Sequence, residues 1–76
     1  MSRLYVVART HREFELWCLD RDLNPRDSVF RYVSRLDHLR GTRGATVLLL
    51  PGWLDRDDWR GIYEMLLIIE AKVVGV

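Results

Sequence analysis

The stretch Ala45–Trp59, ATVLLLPGWLDRDDW, constrains the fold of this chain more than any other. Ala45–Leu50 reads as a strand without polar alternation, so both of its faces need cover. That is the pattern of a strand in the middle of a parallel sheet. Pro51-Gly52 forces a sharp exit, and Asp55–Trp59 reads as a helix start with Asp55 as N-cap and Asp58 favouring the helix dipole. A strand that feeds a helix in this way is the building block of α/β architecture.

The rest of the chain fits that unit. Arg3–Ala8 (RLYVVA) is a β-branched and aromatic run, a first strand. Thr10 and Glu13 have capping-box spacing and open a helix whose inner face carries Phe14, Trp17, Cys18 and Arg21. Asp22–Pro25 ends it, with Asp22 or Asn24 in a left-handed conformation. Ser28–Val33 is a second strand, and Arg35–Gly44 reads as a short helical turn and a glycine loop. In the second helix Trp59, Ile62, Tyr63, Leu66 and Ile69 form the inner stripe, while Leu67 and Ile68 point away from it. Glu70–Val76 reads as a helix end passing into a fourth strand, Lys72–Gly75. A helix running on to the end is the alternative.

The expected fold is a single α/β domain over residues 1–76, with element order β-α-β-β-α-β. Its parallel sheet has three to four strands in the order 2-1-3-4 and one helix on each face, a minimal Rossmann- or flavodoxin-like arrangement. The 76 residues are enough for one thin core, so a second copy or a partner bears on stability. Hydrophobic residues make up 49% and charged residues 30%, the balance of a globular domain. The longest apolar run, Met65–Ile69, is far short of the roughly 18 residues a membrane span needs. The first ten residues show no signal-peptide pattern, and a cytoplasmic location is expected. Cys18 is the single cysteine, which excludes an internal disulfide and a cysteine-cluster metal site. Net charge is +1, so bulk charge does not point to nucleic acid.

The segments RYVSRLDHLRG and VLLLPGW, with the early ART-HREFELW, carry a resemblance. Arg31-Tyr32-Val33-Ser34, Leu39-Arg40-Gly41 and Leu50-Pro51-Gly52-Trp53 resemble small Rossmann-like proteins of unknown function encoded by actinobacterial phages. The resemblance covers most of the chain. It implies a phage protein acting in the host bacterial cytoplasm, and it carries over no active site.

In an open parallel sheet, ligands bind beyond the carboxyl ends of the strands. Three loops are expected there: Arg9, Thr10, His11 and Arg12; Ser34 and Arg35; and Pro51, Gly52 and Trp53. A helix start with arginines beside it can hold a phosphate, and Trp53 can stack on a base. The blander reading is that Thr10 only caps a helix and the arginines are solvated. The dinucleotide glycine fingerprint and the P-loop are both absent. Asp55, Asp57 and Asp58 suggest hard-cation ligands, but capping accounts for them better. His11 and His38 lack zinc-site spacing. Cys18 on the inner helix face reads as a packed thiol. No catalytic constellation is present and no cofactor is implied.

Leu67 and Ile68, off the inner stripe, and Trp53, in the Pro-Gly loop, suggest a protein-facing surface, since tryptophan is enriched at interface hot spots. The expectation is therefore a non-enzymatic phage protein that binds another protein, either itself or a host factor. The alternative is a small nucleotide- or phosphate-binding module using Arg9, Thr10, Arg12, Ser34, Arg35, Gly52 and Trp53.

Overall fold

In the computed structural model, which describes residues 3–75, Val6 and Val7 show how the layers are set. These neighbours on strand β1 (Leu4–Val7) point to opposite faces of the sheet, and both are fully buried. Val6 joins Ala8, Phe14, Cys18, Leu48 and Leu50 in one core. Val7 joins Val33, Leu39, Val47, Ile62, Leu66 and Ile69 in the other. Both faces of the central strands are covered, which is why β1 and β3 (Thr46–Leu49) read as unbroken apolar runs.

The sheet has four strands in the order β2-β1-β3-β4, and every neighbouring pair is parallel. Strand β2 (Phe30–Tyr32) lies at one edge and β4 (Lys72–Gly75) at the other. Lys72–Gly75 is thus a strand, so the helix does not run on to the end. The expected order 2-1-3-4 and the one-helix-per-face arrangement both hold.

Helix α1 (His11–Asp20) covers the Val6 face through Phe14 and Cys18. Thr10 caps it from an extended conformation, its side chain accepting from the Glu13 N–H at 3.2 Å. The Glu13 carboxylate does not close the box on Thr10. It takes the Arg9 guanidinium instead, at 3.0 Å. The helix stops at a left-handed Asp22, with φ of 60°. Helix α2 (Trp59–Ile68) covers the Val7 face through Ile62 and Leu66, together with Ile69 just past its end. Burying each of these three contributes about 1.5–3 kcal/mol. Glu70, with φ of 53°, turns the chain out of α2 into β4.

Two details of α2 differ from the sequence expectation. Its N-cap is Asp58, not Asp55, which instead ends a 3₁₀ turn over Trp53–Asp55. Gly52, at φ of 91°, starts that turn and delays the helix by one tight loop. Tyr63 was expected on the inner stripe but is exposed. A second 3₁₀ turn, Leu36–Leu39, packs on the opposite flank of α2, where the Leu36 side chain sits against Gly61. Tyr63 falls on the flank of α2 away from that turn and stays in water.

Candidate functional site

The carboxyl ends of β1, β2 and β3 open at one end of the sheet, where α/β folds place their ligands. The loops after β1 and β2 leave their strands with backbone carbonyls pointing at the crevice. The structure fills that crevice with Arg56, a residue the sequence reading passed over. Its guanidinium donates through Nη1 to Val33 O at 2.6 Å and Ala8 O at 3.2 Å, and through Nη2 to Ser34 O at 3.1 Å. Nε and Nη2 grip the Asp58 carboxylate at 2.9 and 3.0 Å. A guanidinium has five N–H donors, and all five are used. The side chain is only 8% exposed. Arg56 therefore ties the ends of β1 and β2 to the loop after β3.

Tyr32 adds a weaker clasp at the same place, its hydroxyl donating to Ala8 O at 3.5 Å. Burial raises the Tyr32 hydroxyl above its ordinary value, Arg56 opposes that rise, and Asp58 adds to it. His11 meets the Tyr32 ring edge-on at 4.9 Å and faces Glu15 at 3.3 Å.

Around Arg56 lies a shallow depression of about 550 Å³, lined by Arg9, His11, Tyr32, Ser34 and the run Asp55–Asp58. Two of the sequence-predicted ligand residues, Arg9 and Ser34, reach it. Gly52 sits just behind, where an added Cβ would lie 3.5 Å from Arg9 Cβ. Thr10 is spent on the helix cap. Arg12 and Arg35 are exposed and do not line the depression. Trp53 is half-buried against the α2-side core, which restricts the face it offers to a ligand. The two cations that line the depression are already paired, Arg9 with Glu13 and Arg56 with Asp58. A phosphate entering there would also meet the exposed carboxylates of Asp55 and Asp57. Among the described residues, no group of three His, Cys, Asp or Glu side chains is placed to hold a metal ion.

A second depression, of about 470 Å³, lies between α1 and the end of β3, walled by Leu16, Trp17, Leu50 and Pro51. The Trp17 ring stacks under the Arg21 guanidinium at 4.5 Å, and its indole N–H has no partner among the described residues. Cys18 is fully buried on the inward side of α1, and that burial pushes its thiol pKa up. A neutral, shielded thiol is a poor nucleophile.

The predicted interaction residues separate in space. Leu67 and Ile68 are 64% and 71% exposed. They lie at the far end of α2 from Trp53, whose loop precedes the helix; ten helical residues span about 15 Å. Leu67 and Ile68 also fall on different flanks. Gly61 and Ile68, seven residues apart, share the flank that meets the Leu36–Leu39 turn. Tyr63 and Leu67, four apart, share the other flank. That flank runs beside β4, where Val73 and Val74 are exposed as well. The sequence signal for this strip was Tyr63, Leu67 and Val73 read together, which requires knowing that β4 lies at the edge.

No helix among the described residues is long and apolar enough to cross a membrane. No protein-family model matches the chain, no curated protein matches it, and no solved structure matches it.

Proposed function

We infer that this chain is a non-enzymatic binding protein, acting through a protein partner at the surface formed by α2 and β4. The observation that carries this reading is the strip of exposed apolar side chains there: Tyr63 and Leu67 on one flank of α2, beside Val73 on β4. Contiguous apolar patches of this kind are characteristic of interaction sites. The expected ligand crevice supports the same reading from the other direction, because Arg56 occupies its backbone acceptors. The resemblance to phage proteins favours a role in the host bacterial cytoplasm, with the partner either a second copy or a host factor.

The test compares the wild-type chain with a Leu67→Asp, Ile68→Asp double variant. Both are immobilised, incubated with bacterial lysate, and also weighed by native mass spectrometry. A retained protein or an oligomer that disappears in the variant supports the reading. Identical behaviour of the two chains overturns it. Titration with a panel of nucleotides is the control: amide shifts at Arg9, Ser34 and Gly52 would move the function to the crevice.

A further inference from the structure

We propose that the partner at this surface is a second copy of the chain, joined antiparallel through the open edge of β4 with α2 packed on α2 across the dyad. This rests on the protein-binding reading above and names its partner. The argument begins with backbone geometry. Lys72 N–H donates to Ala45 O at 2.8 Å, so Lys72 and, by alternation, Val74 turn their backbone groups toward β3. Val73 and Gly75 then turn theirs outward, leaving two N–H donors and two C=O acceptors in a row.

A two-fold axis at Val74 pairs Val73 of each copy with Gly75 of the other. Both are residues with outward groups, so all four orphan groups of each edge are matched in hydrogen-bonded pairs. Val74 then meets Val74 at a close non-hydrogen-bonded position. Its partner in the register with β3 is Leu48, which belongs to the α1-side core, so Val74 lies on the α1 face. Val74 is 43% exposed there in the single chain. The edge is complementary to itself.

The helix layer agrees with the same axis. α2 is the crossover between β3 and β4 and lies over that pair. Strands are spaced about 4.8 Å apart, so two such helices flanking the dyad stand about 10 Å apart, the distance at which helices pack. Val73 pairs with Val47 and so lies on the α2 face, beneath the flank bearing Tyr63 and Leu67. Antiparallel order lays this strip of each copy along that of the other. Arg60 stands at the start of this strip, over the Trp59 ring, and Glu70 follows its end. Glu70 is already paired with Arg43 of its own chain at 3.2 Å, so it sets no charge preference across the axis.

The experiment is sedimentation equilibrium of the full chain from about 1 to about 100 µM, with amide exchange measured at both ends of that range. A dimer is expected, with the Val73 and Gly75 amides slowing as concentration rises. Leu67→Asp and Val74→Lys should each weaken it by at least about tenfold, and Leu19→Asp on exposed α1 should not. A dimer that ignores Leu67→Asp and Val74→Lys overturns the β4 geometry while leaving self-association in place. A monomer at about 100 µM with fast Val73 and Gly75 exchange overturns the second copy as partner. The lysate comparison above then decides the protein-binding reading separately. The exchange measurement uses the wild type, so it stands even if a variant fails to fold.

Discussion

Arg56 and Asp58, two residues apart, grip each other through two hydrogen bonds of 2.9 and 3.0 Å. The same guanidinium reaches Val33 O at 2.6 Å. Asp58 also stands at the N-cap position of α2, so one ion pair couples the helix start to the end of β2. The cation closes the place where a sheet of this kind is most open to ligands.

Replacing Arg56 with Ala leaves the Val33 and Ser34 carbonyls and the Asp58 carboxylate without their donor, and Ala8 O with only the long bond from Tyr32. Asp58 is partly exposed and recovers water, so the loss is smaller than for a fully buried pair: about 2–3 kcal/mol. Arg56→Lys should recover little, since an ammonium cannot match a five-donor fork. Asp58→Asn should cost about 0.5–1 kcal/mol, because an amide oxygen still accepts. Urea unfolding with an unchanged m-value checks all three. A loss under about 0.5 kcal/mol for Arg56→Ala would remove the structural role assigned to it.

Gly52 adopts φ of 91°, and an added Cβ there meets only ordinary contacts. The cost of Gly52→Ala is therefore backbone strain, about 1 kcal/mol. Gly52→Asn should cost less, since Asn tolerates the left-handed region. Thermal melts of the two variants should rank in that order. Equal melting points would mean that the loop relaxes out of this conformation.

The Cys18 thiol, raised by burial above its ordinary 9.0, binds its proton more tightly in the folded chain. Its stabilising contribution is complete below pH 9.0 and is lost as pH rises from there through the folded value. Tyr32, raised from 10.0, acts in the same direction at higher pH. Stability should therefore fall on the alkaline side, and Cys18→Ala should flatten the first part of that fall. Native labelling with a thiol reagent should be slow and should track unfolding. Rapid labelling of the folded chain at neutral pH would contradict the burial.

Trp17→Phe removes an indole N–H that has no partner among the described residues, and keeps an aromatic ring under Arg21. It should change stability by less than about 1 kcal/mol, whereas Phe14→Ala at the centre of the same core should cost about 3–5 kcal/mol. Denaturant melts of the two variants give the comparison. A Trp17→Phe loss as large as that of Phe14→Ala would show that the indole N–H is satisfied in solution.

The order of elements was legible because each carries its own local signal. Thr10 caps α1 in sequence as in structure, the Ala45–Leu50 run is apolar because β3 is covered twice, and Asp22 takes the left-handed turn assigned to it or to Asn24. Short right-handed crossovers then leave few ways to order four parallel strands. The start of α2 was misplaced from Asp55 to Asp58 because the Gly52 turn makes its own 3₁₀ bonds first.

Arg56 was not legible in the chain, nor was the division of Leu67 from Ile68. The Arg56 acceptors lie 48, 23 and 22 residues away in sequence and converge only because parallel strands end together. Leu67 and Ile68 are neighbours in sequence, yet the Leu36–Leu39 turn takes one flank of α2 and leaves the other beside the β4 edge. Local backbone preference and apolar periodicity act over a few residues, so the sequence alone determined the strands, the helices and their order. Which cation fills the crevice and which apolar side chains stay in water depend on groups that only the folded sheet brings together.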